Sequence, residues 1–221
     1  MRLLLIRHGQ TIDNVHGSLG TVIPGPVLTD LGREQAAAIP GALAAEDIQA
    51  IYASTMQRTS LTAAPLAAGV GLDVEILDGL REIGADDFEG LSDRDSVRGY
   101  MGTIISWWHD SGARIPGSEN GDEFFARFTD AIARAVAAHD GTVAVFSHGA
   151  AIRTWASATS TNIDEAFSRA HDLPNTAMIV LEGSPADGWV ATHWDGEPVG
   201  GEQLDDPTAI DPTGEARDPN R

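Results

Sequence analysis

The chain has 221 residues, no cysteine, fourteen basic residues that are all arginine, and a formal net charge of -19. Disulfides, thiolate metal sites, a thiol nucleophile and lysine Schiff-base chemistry are thereby excluded. So acidic a chain is a poor candidate for binding nucleic acid, which rests on neutralising phosphates with basic side chains. At a screening length of about 8 Å, however, a local arginine cluster still governs its own pocket.

The length suits one sizeable core. The N-terminal apolar run is too short for a signal-peptide core and no segment has membrane length, so the protein is expected to be cytoplasmic with no membrane partner. Leu3–Ile6 reads as a strand buried on both faces and ends abruptly in Arg7-His8-Gly9, with polar residues continuing to Asn14. Open α/β sheets place their ligands at the carboxyl ends of such strands, and an arginine, an imidazole and a glycine there suit a phosphate.

Residues 15–28 are rich in Gly and Pro and read as a loop. Thr29 or Asp30 caps a helix from Leu31 towards Glu46, which Pro40-Gly41 should kink or end early. Ile48–Ala53 is a second strand. The helix after it carries Arg58 in its first turns and runs to Ala68, with Pro65 interrupting. Val70–Leu77 reads as a third strand, followed by Leu80-Arg81-Glu82-Ile83. Residues 84–117 are polar, then apolar and aromatic, without a clear period. Asn120 and Glu123 form a capping pair for a helix to about Ala138. Thr142–Phe146 is a strand ending in Ser147-His148-Gly149, before a helix over Ala150–Ala158. A short helix at Ile163–Ala170 and strands at Thr176–Leu181 and Trp189–Trp194 follow. From Asp195 the chain is Gly, Pro and acid, which predicts disorder or a loosely docked tail over 195–221 behind a domain of 1–194.

This alternation predicts an α/β fold: a mainly parallel central sheet covered on both faces, in three layers. One local pattern occurs twice, since two strands end in Arg7-His8-Gly9 and Ser147-His148-Gly149. If they are neighbours, both imidazoles enter one crevice, and Arg58 can join them from beyond a third strand. Neutral imidazole is a good nucleophile at physiological pH. Guanidinium forks match the equatorial oxygens of a transferring phosphoryl group. Arg7, Arg58 and a cationic His148 would supply that charge, with Asn14 as an uncharged donor. Glu82 is the candidate general acid, which as carboxylate would then activate water.

These residues resemble the histidine phosphatase superfamily, which includes the cofactor-dependent phosphoglycerate mutases. The resemblance runs from Met1 to about Leu181. It rests on Arg7-His8-Gly9-Gln10-Thr11 with Asn14, LTDLGREQA (28–36), IYASTMQRTSLTA (51–63), Leu80-Arg81-Glu82, IPGSENGDEFFARF (115–128) and FSHGAAIR (146–153), in order. It implies a phosphoglycerate mutase-like fold and a phosphorylated His8. Arg7, Arg58 and His148 would complete the phosphate pocket, Asn14 would contact the phosphoryl group, Glu82 would donate the proton, and no metal or other cofactor would be needed.

Two departures bear on function. Family members usually carry a glycine where this chain has Asp86, which makes Asp86, Asp87 and Glu89 alternatives to Glu82. The arginine pair that grips a carboxylate in the mutases is replaced by isolated Arg98 and Arg114 around GYMGTIISWW. The expected activity is therefore hydrolysis of a small phosphorylated metabolite, with a mutase and a non-catalytic phosphate-binding module as alternatives. If 91–117 forms a lid, its aromatic content favours an apolar or ring-containing leaving group. His16, His109, His139, His171 and His193 read as surface or structural, although three precede aspartate as in metal-dependent phosphohydrolases. Monomer and homodimer fit equally.

Overall fold

The N-terminal apolar run forms β1 (Arg2–Arg7), which joins β2 (Ile48–Ala53), β3 (Val74–Ile76), β4 (Thr142–Ser147), β5 (Met178–Ser184) and β6 (Gly188–Trp194) in one sheet. The structure, a computed structural model, describes residues 1–214. Strand order is β3-β2-β4-β1-β5-β6. β1, β2, β3 and β4 are mutually parallel where they pair, and β5 and β6 add antiparallel pairings at one side. β1 and β4 are neighbours, with Arg7 opposite Ser147, so His8 and His148 leave adjacent strands at the same level.

The unbroken apolar character of β1 and β4 follows from burial on both faces. Leu4, Ile6, Ala144 and Phe146 pack with Ile39, Ala63 and Leu66 from α2 (Asp30–Ala42) and α3 (Gln57–Val70). Leu3, Leu5, Val143 and Val145 pack on the opposite side with residues of α4 (Arg94–Ser106), α5 (Gly121–Val136) and α6 (Gly149–Thr159). Three layers result, as expected. Thr29 caps α2 by accepting from the Gly32 N–H, and Asn120 and Glu123 form a capping box on α5.

Several expectations are corrected. A short helix, α1 (Ile12–His16), occupies the start of the presumed loop, held by a Thr11/Asn14 capping box and ended by Gly17 at φ 69°. Pro65 does not interrupt α3. It lies one turn after Leu61, which is 42% exposed, so water can take the carbonyl left without an N–H partner. The third strand is only Val74–Ile76, because α3 continues to Val70 and Gly71 turns the chain at φ 73°. The stretch without a clear period yields α4, and Trp107 belongs to the core, stacked on Phe124 at 5.6 Å. A further short helix, α7 (Glu165–Ala170), follows α6.

After β6 the chain turns back over the carboxyl ends of the strands. Val199 donates to the Thr176 carbonyl, Gln35 to that of Leu204, and Leu173 to that of Gly214. The rest of the expected tail, residues 215–221, lies outside the described residues.

Candidate active site

The loop after β1 is fixed from below. The Gly9 N–H donates to Thr62 Oγ1 (2.9 Å), and the Gln10 N–H donates to Gln35 Oε1 (2.8 Å). A Cβ on Gly32 would lie 2.2 Å from the Gln10 carbonyl oxygen, so α2 approaches this closely only because position 32 is glycine. The LTDLGREQA segment thus works as the seat of the Arg7-His8-Gly9 turn.

His8 is buried, and its Nδ1 lies 2.8 Å from the Gly9 carbonyl oxygen. A carbonyl can only accept, so Nδ1 carries the proton and Nε2 keeps its lone pair. Burial, then the charges of Arg58 and Arg7, holds the imidazole well below its ordinary 6.5. The nucleophilic form therefore persists into acid. The His148 ring lies 5.2 Å from that of His8, centroid to centroid. Arg58 Nε donates to His148 Nδ1 (3.3 Å), and His148 Nε2 meets Ser54 Oγ at 2.8 Å. Accepting from Arg58 keeps His148 neutral here rather than cationic, and burial followed by the Arg58 charge lowers its pKa in the same direction.

Arg58 also donates to the Gly20 carbonyl (3.1 Å), but its buried Nη1 has no hydrogen-bond partner among the described residues. This Nη1 lies against Gly25, where a Cβ would stand 2.8 Å away, and a buried guanidinium N–H left over on a cavity-lining arginine is available to an anion. Arg7 donates through Nη1 to the Leu173 carbonyl (2.8 Å). Its two terminal nitrogens also grip Asp211, Nη1 to Oδ2 at 2.6 Å and Nη2 to Oδ1 at 2.8 Å. Asn14 Nδ2 reaches the same carboxylate at 3.3 Å.

Glu82 is buried beneath the start of α6. Oε1 accepts from the N–H groups of Ile83 (2.9 Å) and Ala151 (2.8 Å), and Oε2 from that of Ala150 (3.2 Å). Burial raises its pKa, against the pull of these bonds and of Arg58. The cavity lined by His8, Asn14, Arg58 and Glu82 also includes Asp13, Leu19, Thr21, Tyr100 and Thr213. Asp86, Asp87 and Glu89 do not line it. Asp86 and Asp87 are exposed, and Glu89 accepts from the backbone N–H and hydroxyl of Thr21. Asp86 takes φ 38°, a left-handed backbone that glycine adopts more readily. Of the aromatic run, Tyr100 reaches the cavity, its hydroxyl donating to the Ile83 carbonyl.

Two supports were not read from the sequence. Arg127 donates to the carbonyls of Gly79 (2.8 Å), Arg81 (2.9 Å) and Glu82 (3.0 Å), and Glu119 holds it by a bidentate pair. This clamp fixes the loop that presents Glu82. Lysine cannot span three carbonyls and a carboxylate with one ammonium. Arg127→Lys and Arg127→Ala are both expected to lower kcat, and Arg127→Ala to cost about 3 kcal/mol in urea unfolding. Asp13 is the other. Burial raises its pKa while Arg58 opposes, and Gly20 leaves room for its carboxylate.

His109 pairs with Glu165 at 3.0 Å, His139 meets Tyr52, and His171 stacks on Phe167 at 3.7 Å. No helix among the described residues is long and apolar enough to cross a membrane.

A family model described as histidine phosphatase superfamily (branch 1) matches residues 3–196. The PE-PGRS family protein PE_PGRS11 of Mycobacterium tuberculosis is 39% identical over 226 residues, which cover 93% of this chain and 38% of that protein. The chain thus spans well under half of that relative's length. Glucosyl-3-phosphoglycerate phosphatase of M. tuberculosis is 30% identical over 164 residues, covering 68% of this chain and 71% of the relative. A solved structure of mycobacterial glucosyl-3-phosphoglycerate phosphatase with VO3 matches with TM-score 0.75 at 26% identity, covering 89% of this chain and 99% of that one.

Proposed function

The chain belongs to branch 1 of the histidine phosphatase superfamily, and on that footing we propose that it is a metal-independent phosphomonoesterase working through phospho-His8. One observation carries the reading. His8 presents an unprotonated Nε2 into a cavity shared with Arg58, whose buried Nη1 is unsatisfied, and with Glu82.

In the first step Nε2 of His8 attacks phosphorus in line as the bond to the leaving oxygen breaks. The protonated Glu82 carboxyl gives its proton to that oxygen, and the alcohol departs. Arg7, Arg58, Asn14 and His148 bind the equatorial oxygens, where catalysis is mostly positioning and charge. His148 would take up a proton as the dianion arrives, since an adjacent anion favours its charged form. In the second step the Glu82 carboxylate removes a proton from water, whose oxygen attacks phosphorus as the bond from phosphorus to His8 Nε2 breaks and its electron pair returns to the ring. Neutral His8, protonated Glu82 and inorganic phosphate are restored. The positive charge comes from the chain's own arginines, so no metal is required by this balance.

Hydrolysis is favoured over mutase action because Arg98 and Arg114 are spent on Asp95 and Glu123, outside the cavity. A small phosphorylated metabolite as substrate is supported by relatives named glucosyl-3-phosphoglycerate phosphatase. Phosphate release from a panel of phosphomonoesters in excess EDTA tests this reading. Activity lost to EDTA would overturn it, and interconversion of phosphate positions without release would favour the mutase.

Two pH effects follow. The free enzyme needs neutral His8 and protonated Glu82, so kcat/KM should fall in acid at a pKa below 6.5 and in base at one above 4.5. For stability, the unfolded chain binds more protons at both histidines than the folded one, because the folded pKa values are depressed. Their contribution is full above about 6.5 and is lost as pH falls through that value towards the folded ones. Thermal melts should show this loss, and inorganic phosphate, by favouring charged His148, should reduce it.

A further inference from the structure

The site is not empty of anions, because the chain supplies its own. Asp211 places both carboxylate oxygens on the terminal nitrogens of Arg7, at 2.6 and 2.8 Å, and one of them within 3.3 Å of Asn14 Nδ2. Thr213 adds its hydroxyl to Arg7 Nη2 (3.1 Å) and lines the cavity beside His8. A Cβ on Gly149 would lie 2.8 Å from the Thr213 carbonyl oxygen, so the segment sits tightly on the start of α6. The cavity that remains is about 20 Å³. That leaves room for about one water beside His8.

From this geometry we propose that residues 205–214 are a built-in occupant of the phosphoryl site. The Asp211 carboxylate stands where two phosphoryl oxygens would bind on Arg7 and Asn14, so turnover requires release of this segment. The inference rests on the reading of Arg7 and Asn14 as phosphoryl ligands. A guanidinium fork accepts carboxylate and phosphate in the same bidentate geometry, and two anions cannot share it without repulsion. Polar contacts hold the segment and allow its release. Ile210, its one large apolar residue, is 64% exposed. Gln10 grips Asp206 (2.8 Å) and Leu173 the Gly214 carbonyl (2.8 Å), both bonds that water can replace. The apparent affinity for phosphate is then reduced by the fraction of chains in which the site is open.

The test is calorimetric titration of inorganic phosphate into the full chain, as wild type, Asp211→Asn and Asp211→Ala, with thermal melts to establish folding. Binding at least about ten-fold tighter in the variants is expected, which would correspond to a site open in a tenth of wild-type chains or fewer. Unchanged or weaker binding would overturn the proposal and make Asp211 a fixed partner that positions Arg7. Should the variants fail to fold, hydrogen exchange on wild type decides. Vanadate should speed exchange across 205–214, and slowed or unaltered exchange would overturn the proposal. Failure of the phosphatase reading would appear separately, as absent phosphate release, and leaves both binding readouts usable.

Discussion

His8→Ala is expected to lower kcat/KM for every phosphomonoester by at least about 10⁴-fold, the scale seen when a covalent nucleophile is removed from a preorganised site. The fold should survive. The backbone bonds of residue 8, from its N–H to Ser147 and from Thr176 and Asn175 to its carbonyl, do not involve the ring. The ring's own hydrogen bond is to the adjacent Gly9 carbonyl. Residual hydrolysis would come from water attacking a phosphoryl group still held by Arg7 and Arg58. Side-by-side progress curves, with circular dichroism to verify folding, measure the loss. A variant retaining a tenth of wild-type activity would remove His8 from the chemistry.

Glu82→Gln is expected to have the second largest effect, and one that depends on the leaving group. Alkyl phosphates need a proton on the departing oxygen, so their kcat should fall by about 10²- to 10⁴-fold. A nitrophenyl ester, whose leaving group departs as a stable anion, should lose far less in the first step. The alkaline limb of the pH profile should vanish with the carboxyl. The amide can keep the bonds from Ile83 and Ala151 but sets a donor against the Ala150 N–H, costing about 1–3 kcal/mol. If Asp86, Asp87 or Glu89 were the acid instead, Glu82→Gln would be mild and uniform across leaving groups, and the neutral variant of the true acid would show the dependence. The exposed positions of Asp86 and Asp87, and the engagement of Glu89 with Thr21, argue against them.

What could be read from the sequence follows from where its information is local. β1 and β4 were legible because burial on both faces demands unbroken apolar runs, and the histidines after them stand out as polar residues that end such runs. β3 was not, because a three-residue edge strand with two exposed positions carries neither alternation nor an apolar run. α1 is a single turn secured by Thr11 and Asn14, too short for a helical period to register. Arg127 and Glu119 carry no such signal, because Arg127 acts on backbone carbonyls and Glu119 accepts from Arg127 and the Gly84 N–H, contacts that leave no trace in residue type. The segment beyond β6 shows the sharpest limit. Its Gly, Pro and acid composition carries no periodic signal, and hydropathy is blind to one aspartate finding one buried arginine across 204 positions of chain.

The most direct test of the account is to trap the intermediate. Wild-type chain mixed with a fast aryl phosphate and quenched in alkali should carry one phosphoryl group, and peptide mass spectrometry should place it on His8. The adduct should be stable to base and lost in acid, as a phosphoramidate is, and absent from His8→Ala. A fully active enzyme that never accumulates it on His8, or that carries it on another residue, would contradict phosphohistidine chemistry at this site.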